Sequence, residues 1–131
     1  MIRRWAGATC AMLTLGLVTG APAGAAPAEA VTCDYTLSAP ALVEVNGTQM
    51  VTATLVPAAC PSAVPMLLEA CLSVPGKVGR CDQTNGNTTA QVYLSPYVPG
   101  LNYTVRGRGC STVLTAPSSI CSSLGPVSAV L

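Results

Sequence analysis

From Leu42 onward, apolar and polar residues alternate with a period of two, in short runs broken by turn residues. Such alternation predicts strands buried on one face. Leu42–Val45 is a short β-type run closed by Asn46-Gly47, a strong hairpin signal. Thr48–Val56 follows, with Val51, Ala53 and Leu55 on one face and Thr52 and Thr54 on the other. Pro57–Pro65 reads as a loop carrying Cys60. In the most apolar stretch, Met66–Val74, the residues Met66, Leu68, Ala70, Leu72 and Val74 line one face and Leu67, Glu69, Cys71 and Ser73 the other. A short helix over Ser62–Leu72 competes with this strand, because Met, Leu, Glu and Ala are good helix formers.

After the Pro75-Gly76 turn, Val78–Cys81 reads as a returning strand and Asp82–Thr88 as a polar loop with a second Asn-Gly pair. Thr89–Leu94 alternates Ala90, Val92 and Leu94 against Gln91 and Tyr93. Pro96–Gly100 turns the chain into Leu101–Arg108, where Leu101, Tyr103 and Val105 share a face opposite Arg106 and Arg108. Thr112–Thr115 is a candidate last strand, and the Ser/Pro/Gly-rich tail reads as irregular. No long segment shows a 3.6-residue period, so the expected fold is mainly β.

The first residues follow another pattern. Arg3 and Arg4 precede an apolar run from Trp5 to Val18, and Ala, Pro and Gly fill the chain to Ala30. This is the order of a secretory signal peptide, with cleavage expected after Ala30 and Ala25 as the alternative site. The run is shorter than the roughly 20 residues a membrane span needs. The expected organisation is a signal peptide over 1–30, one disulfide-stapled β domain over 31–121 and an irregular tail over 122–131. The expected location is outside the cell or in its envelope, with no membrane span after cleavage. The Ala/Gly/Pro/Thr bias fits a GC-rich bacterial coding sequence, so the sequons at Asn46, Asn87 and Asn102 are expected to carry no glycan.

Secretion changes the reading of the cysteines. Cys10 leaves with the leader, and Cys33, Cys60, Cys71, Cys81, Cys110 and Cys121 remain. An even set in a small secreted chain reads as a disulfide framework. The chain has no histidine and no C-x-x-C, which argues against a zinc or redox site.

Charge is sparse: charged residues are 8% of the chain, against about 25% for ordinary soluble proteins. After cleavage Asp34, Glu44, Glu69 and Asp82 balance Lys77, Arg80, Arg106 and Arg108. Nucleic acid is therefore not an expected partner.

The absence of histidine excludes a Ser-His-Asp triad. A catalyst would have to use the carboxylates alone; Glu69 is the one set in an apolar segment, and the simpler reading is that it faces solvent on an alternating strand. Asp82, Asn85 and Asn87 are spaced loosely like oxygen ligands for calcium, but turn formation explains them more simply. No catalytic residue, metal or cofactor is expected. Arg80, Arg106 and Arg108, with Tyr93 and Tyr97 nearby in sequence, are the candidate partner-binding set. The expected function is a non-catalytic extracellular interaction module for a protein or an envelope glycan. The alternatives are a structural or envelope-associated protein with no defined ligand and, more distantly, a carboxylate-dependent secreted hydrolase.

The segment Leu94-Ser95-Pro96-Tyr97-Val98-Pro99-Gly100-Leu101-Asn102-Tyr103-Thr104-Val105-Arg106 resembles the crossing from strand E to strand F in fibronectin type III and related immunoglobulin-like domains. The resemblance implies a small immunoglobulin-like β-sandwich stabilised by disulfides. It makes Tyr103 a corner tyrosine whose hydroxyl returns to nearby backbone. In that sandwich the expected pairs are Cys60–Cys110 at one end, Cys71–Cys81 across a hairpin and Cys33–Cys121 between the termini.

Overall fold

The computed structural model describes residues 33–113 and 116–131. The expected signal peptide and its cleavage site lie outside these residues. Among the described residues eight strands run in order: β1 (Asp34–Leu37), β2 (Ala41–Val45), β3 (Thr48–Ala59), β4 (Ala63–Ser73), β5 (Arg80–Asn85), β6 (Ala90–Leu94), β7 (Asn102–Val113) and β8 (Ala116–Val130). They form two antiparallel sheets. In the first, β3 pairs with β6 along one edge and with β1 and β2, laid end to end, along the other. The second has the order β5-β4-β7-β8.

The first sheet is organised by the β2–β3 hairpin. Asn46 and Gly47 have φ of 51° and 77°, and positive φ at both central residues is what a two-residue type I′ hairpin turn requires. The edge opposite β6 is interrupted at Ser38–Pro40, because Pro40 has no N–H for the ladder. Ser38 fills the gap. Its N–H donates to the Thr54 carbonyl at 2.9 Å, and the Thr54 N–H donates to Ser38 Oγ at 2.9 Å. β3 runs through Pro57, where β6 no longer accompanies it and a missing N–H is tolerated. The loop expected over Pro57–Pro65 therefore shrinks to Cys60–Ser62.

The core lies between the sheets. Val51, Ala53 and Leu55 of β3 and Ala90, Val92 and Leu94 of β6 meet Leu68, Ala70 and Leu72 of β4 and Tyr103 and Val105 of β7. Complete burial of each large aliphatic side chain contributes about 1.5–3 kcal/mol. The Tyr103 hydroxyl accepts from the Val98 N–H at 2.9 Å and donates to the Val98 carbonyl at 3.2 Å. Its ring is thereby held in the core and its polar end is satisfied within the β6–β7 loop.

Several expectations are corrected. The competing helix over Ser62–Leu72 does not form, since β4 is paired on both sides. Met66 leaves the core face because a bulge between Pro65 and Leu67 inserts it against β7. Ala63 and Pro65 are buried before the bulge, and Leu68, Ala70 and Leu72 after it. Thus one extra residue reverses the alternation. The returning strand after Pro75-Gly76 lies at Arg80–Asn85, so Asp82–Asn85 is ladder and not loop. The C-terminal tail expected to be irregular over 122–131 is strand as far as residue 130: it belongs to β8, which zips onto β7.

That zipper also decides the disulfides. The three pairs are Cys33–Cys60, Cys71–Cys81 and Cys110–Cys121. Cys60–Cys110 and Cys33–Cys121 are not formed. β1 lies along the end of β3, with Asp34 opposite Ala59, and this brings Cys33 beside Cys60. Cys121 stands directly opposite Cys110 in the β7–β8 ladder, and Cys71 opposite Cys81 in the β4–β5 ladder. Each disulfide therefore staples neighbouring strands of one sheet, and none crosses the core.

Candidate functional site

In β7, Tyr103, Val105, Gly107 and Gly109 point into the core, so Asn102, Thr104, Arg106 and Arg108 point out of the second sheet. Arg106 is exposed and stands opposite Cys71 of β4. On its other side β8 bulges at Gly125 and Pro126, between the rungs Val105–Val127 and Gly107–Leu124. Arg108 stands between Glu69 of β4 and Ser123 of β8. Its guanidinium reaches Cys121 Sγ at 3.6 Å. The Cys71–Cys81 and Cys110–Cys121 disulfides lie on this same outer face, because cross-strand partners share a face. Thr104 and Ser128 add a hydroxyl pair at 2.8 Å. The result is a polar sheet surface with a cation pair at its middle and a covalent staple toward each edge.

The rest of the expected set is elsewhere. Arg80 pairs with Leu72, an inward-facing residue, so it leaves β5 on the core side of that edge strand and not on the outer face. There it lies 3.7 Å from Asp82, the one ion pair among the described residues, and its side chain is 63% exposed. Tyr93 is in the first sheet, opposite Thr52 and turned away from the core. Tyr97 is in the β6–β7 loop, half-buried against Tyr103 with ring centroids 6.3 Å apart. The three arginines and two tyrosines thus occupy separate places, and only Arg106 and Arg108 share a surface. The physical reason is register: neighbours along the sequence separate when strands change sheets.

Glu69 is on the outer face as the cross-strand neighbour of Arg108, not in the core, so its apolar flanks in sequence do not surround it in space. It is a member of the site that sequence reading did not associate with the arginines. Its period-two position on β4 placed it on an outer face, but only the ladder shows which residue it meets. Asp82 and Asn85 leave β5 on opposite faces, being paired with Ala70 and Leu67, and they do not converge on an ion. Among the described residues no cluster of His, Cys, Asp or Glu is arranged to hold a metal, and no helix is long and apolar enough to cross a membrane.

Compared with protein-family models, curated proteins and solved structures, the chain matches none.

Proposed function

We propose that the chain is a secreted, non-catalytic interaction module that docks a partner on the outer face of its second sheet. The observation that carries this reading is the placement of Arg106 and Arg108 on one face of β7, two residues apart, between two cross-strand disulfides. Arginines on a sheet braced in this way are held on a rigid base, which limits the ordering cost of binding. The partner that fits is an extracellular protein or envelope glycan carrying carboxylate or phosphate groups, since guanidinium binds both through paired hydrogen bonds. Glu69, opposite Arg108 in the ladder, adds a hydrogen-bond acceptor to the face.

The reading extends to the fold. The sandwich is immunoglobulin-like, of the fibronectin type III kind. Support comes from the crossings of the chain between sheets at β3–β4, β5–β6 and β6–β7, the Tyr103–Val98 hydrogen bonds at the β6–β7 crossing and the position of β5 beside β4, where such domains place strand C′.

The test is the double variant Arg106→Ser/Arg108→Ser, used to capture ligands separately from the protein and the glycan fractions of the native envelope or culture medium. Both side chains are exposed, so stability should change by no more than about 0.5 kcal/mol. Capture by the parent protein that falls at least tenfold in the variant, roughly 1.4 kcal/mol, supports the reading. Equal capture by parent and variant rejects the face, and a parent that captures nothing from either fraction favours the structural alternative.

A further inference from the structure

Among the described residues β8 is the outermost strand of the second sheet and pairs only with β7. Between two bulges its ladder is regular from Ser119 to Leu124, opposite Thr112 to Gly107. Within that stretch the Cα atoms of Cys110 and Cys121 are 4.0 Å apart. This is the narrow spacing of a non-hydrogen-bonded antiparallel pair. Pair types alternate along a ladder, so Ser119, Cys121 and Ser123 all turn their backbone N–H and C=O groups away from β7, to the open edge.

Open edges are normally blunted by charge, proline, a bulge or shortness. β1 carries Asp34, β2 carries Glu44, β5 carries Arg80 and Asp82, and β6 is 5 residues long. β8 is 15 residues long and holds no charged residue. Its prolines, Pro117 and Pro126, lie outside the regular stretch. The edge from Ser119 to Leu124 is therefore free of charge, proline and bulge.

We propose that this edge pairs antiparallel with the same edge of a second copy of the chain, about a twofold axis through Cys121. The register follows from two conditions. Residues opposite each other must lie on the same face of the joined sheet, and only Ser119, Cys121 and Ser123 offer free backbone groups. Cys121 therefore opposes the second copy's Cys121, and Ser119 opposes the second copy's Ser123. Each of these pairs exchanges two hydrogen bonds. No charged side chain is brought into opposition, and half-buried Ile120 gains cover from the second copy's Ser122. The two second sheets become one continuous sheet, with the Arg106/Arg108 faces on the same side. The inference rests on the β8 edge alone and does not depend on a ligand at the arginines.

Sedimentation equilibrium of the purified protein tests it, from micromolar to millimolar concentration. The parent should show a reversible monomer–dimer equilibrium. In Ser119→Lys/Ser123→Lys each lysine opposes a lysine of the second copy, and the dimer dissociation constant should rise by about tenfold. In Ser119→Lys/Ser123→Glu the same register sets lysine against glutamate, and dimerisation should return to the parental level or better. Both side chains are exposed on the outer face, so thermal midpoints should stay close to the parent. Should either variant fail to fold, amide exchange of the parent reads the same contact. The Cys121 and Ser123 amides must then be slowed at high protein concentration and not at low. A parent that stays monomeric at millimolar concentration, two variants that behave alike, or unchanged exchange at those amides would overturn the proposal.

Discussion

Gly109→Ala probes how the two sheets close over one another. Gly109 faces inward from β7, and the ring of Tyr35 from β1 lies directly on it. A Cβ built at Gly109 would fall 2.5 Å from Tyr35 Cζ and 2.6 Å from both Cε atoms. Carbon atoms in good contact sit about 3.5–4.0 Å apart, so ring and methyl must separate by roughly 1 Å or more. Either the ring swings outward, losing its packing, or β1 lifts from the sandwich. Overpacking of this kind costs about 1–3 kcal/mol, while the loss of glycine's freedom in the unfolded chain returns about 0.4–1 kcal/mol. The expected net loss is about 1–2 kcal/mol, a fall in thermal midpoint of roughly 5–15 °C for a domain of this size. A Cβ built at the neighbouring Gly107 would fall 3.1 and 3.2 Å from the flexible tips of Leu37 and Leu55, so Gly107→Ala should cost less. The assay is urea and thermal unfolding of Gly109→Ala, Tyr35→Ala and the double variant. If the ring is the obstacle, Gly109→Ala should be neutral or stabilising in the Tyr35→Ala background, with a coupling of about 1–2 kcal/mol. Purely additive variants would refute the reasoning, because the glycine would then be needed for something other than the tyrosine.

Further expectations concern hydroxyls and cross-links. Tyr103→Phe removes both hydrogen bonds to Val98 and should cost about 1–3 kcal/mol by denaturant titration, since it orphans backbone groups. Tyr35→Phe should be neutral or stabilising by up to about 1 kcal/mol in the same titration, because the Tyr35 hydroxyl is buried with no hydrogen-bond partner among the described residues. Ser38→Ala withdraws the acceptor of the Thr54 N–H and should cost about 1–2 kcal/mol, with faster amide exchange at Thr54. Peptide mapping without reductant should recover Cys33–Cys60, Cys71–Cys81 and Cys110–Cys121. Reduction should lower the thermal midpoint sharply, as each loop contributes about 2–4 kcal/mol.

The alternation of side chains was enough to place most of the core. Val51, Ala53, Leu55, Ala90, Val92, Leu94, Tyr103 and Val105 stand out by period two and all are buried, because a strand's side-chain direction is a local property of its backbone. The Asn46-Gly47 turn is equally local, since these residue types accept positive φ with little strain. The return of the Tyr103 hydroxyl to Val98 spans only 5 residues, and the expectation of it came from the family resemblance of Leu94–Arg106 and not from the alternation.

What sequence could not supply was register and partnership. One inserted residue at Met66 reverses the faces on either side of it, and nothing in its own identity marks it as the bulge. β8 is rich in Ser and Pro and has weak strand propensity, yet β7 offers a full ladder for it to complete, so tertiary pairing overrides composition. The cysteines follow the ladders: Cys121 meets Cys110 only because β8 is a strand, and Cys33 meets Cys60 only because β1 returns along the end of β3. The same cause dispersed the candidate patch. Arg106 and Arg108 stayed together because they share one strand, where spacing along the chain is spacing in space. Arg80, Tyr93 and Tyr97 separated because sheet assignment and facing depend on long-range pairing, which no local pattern encodes.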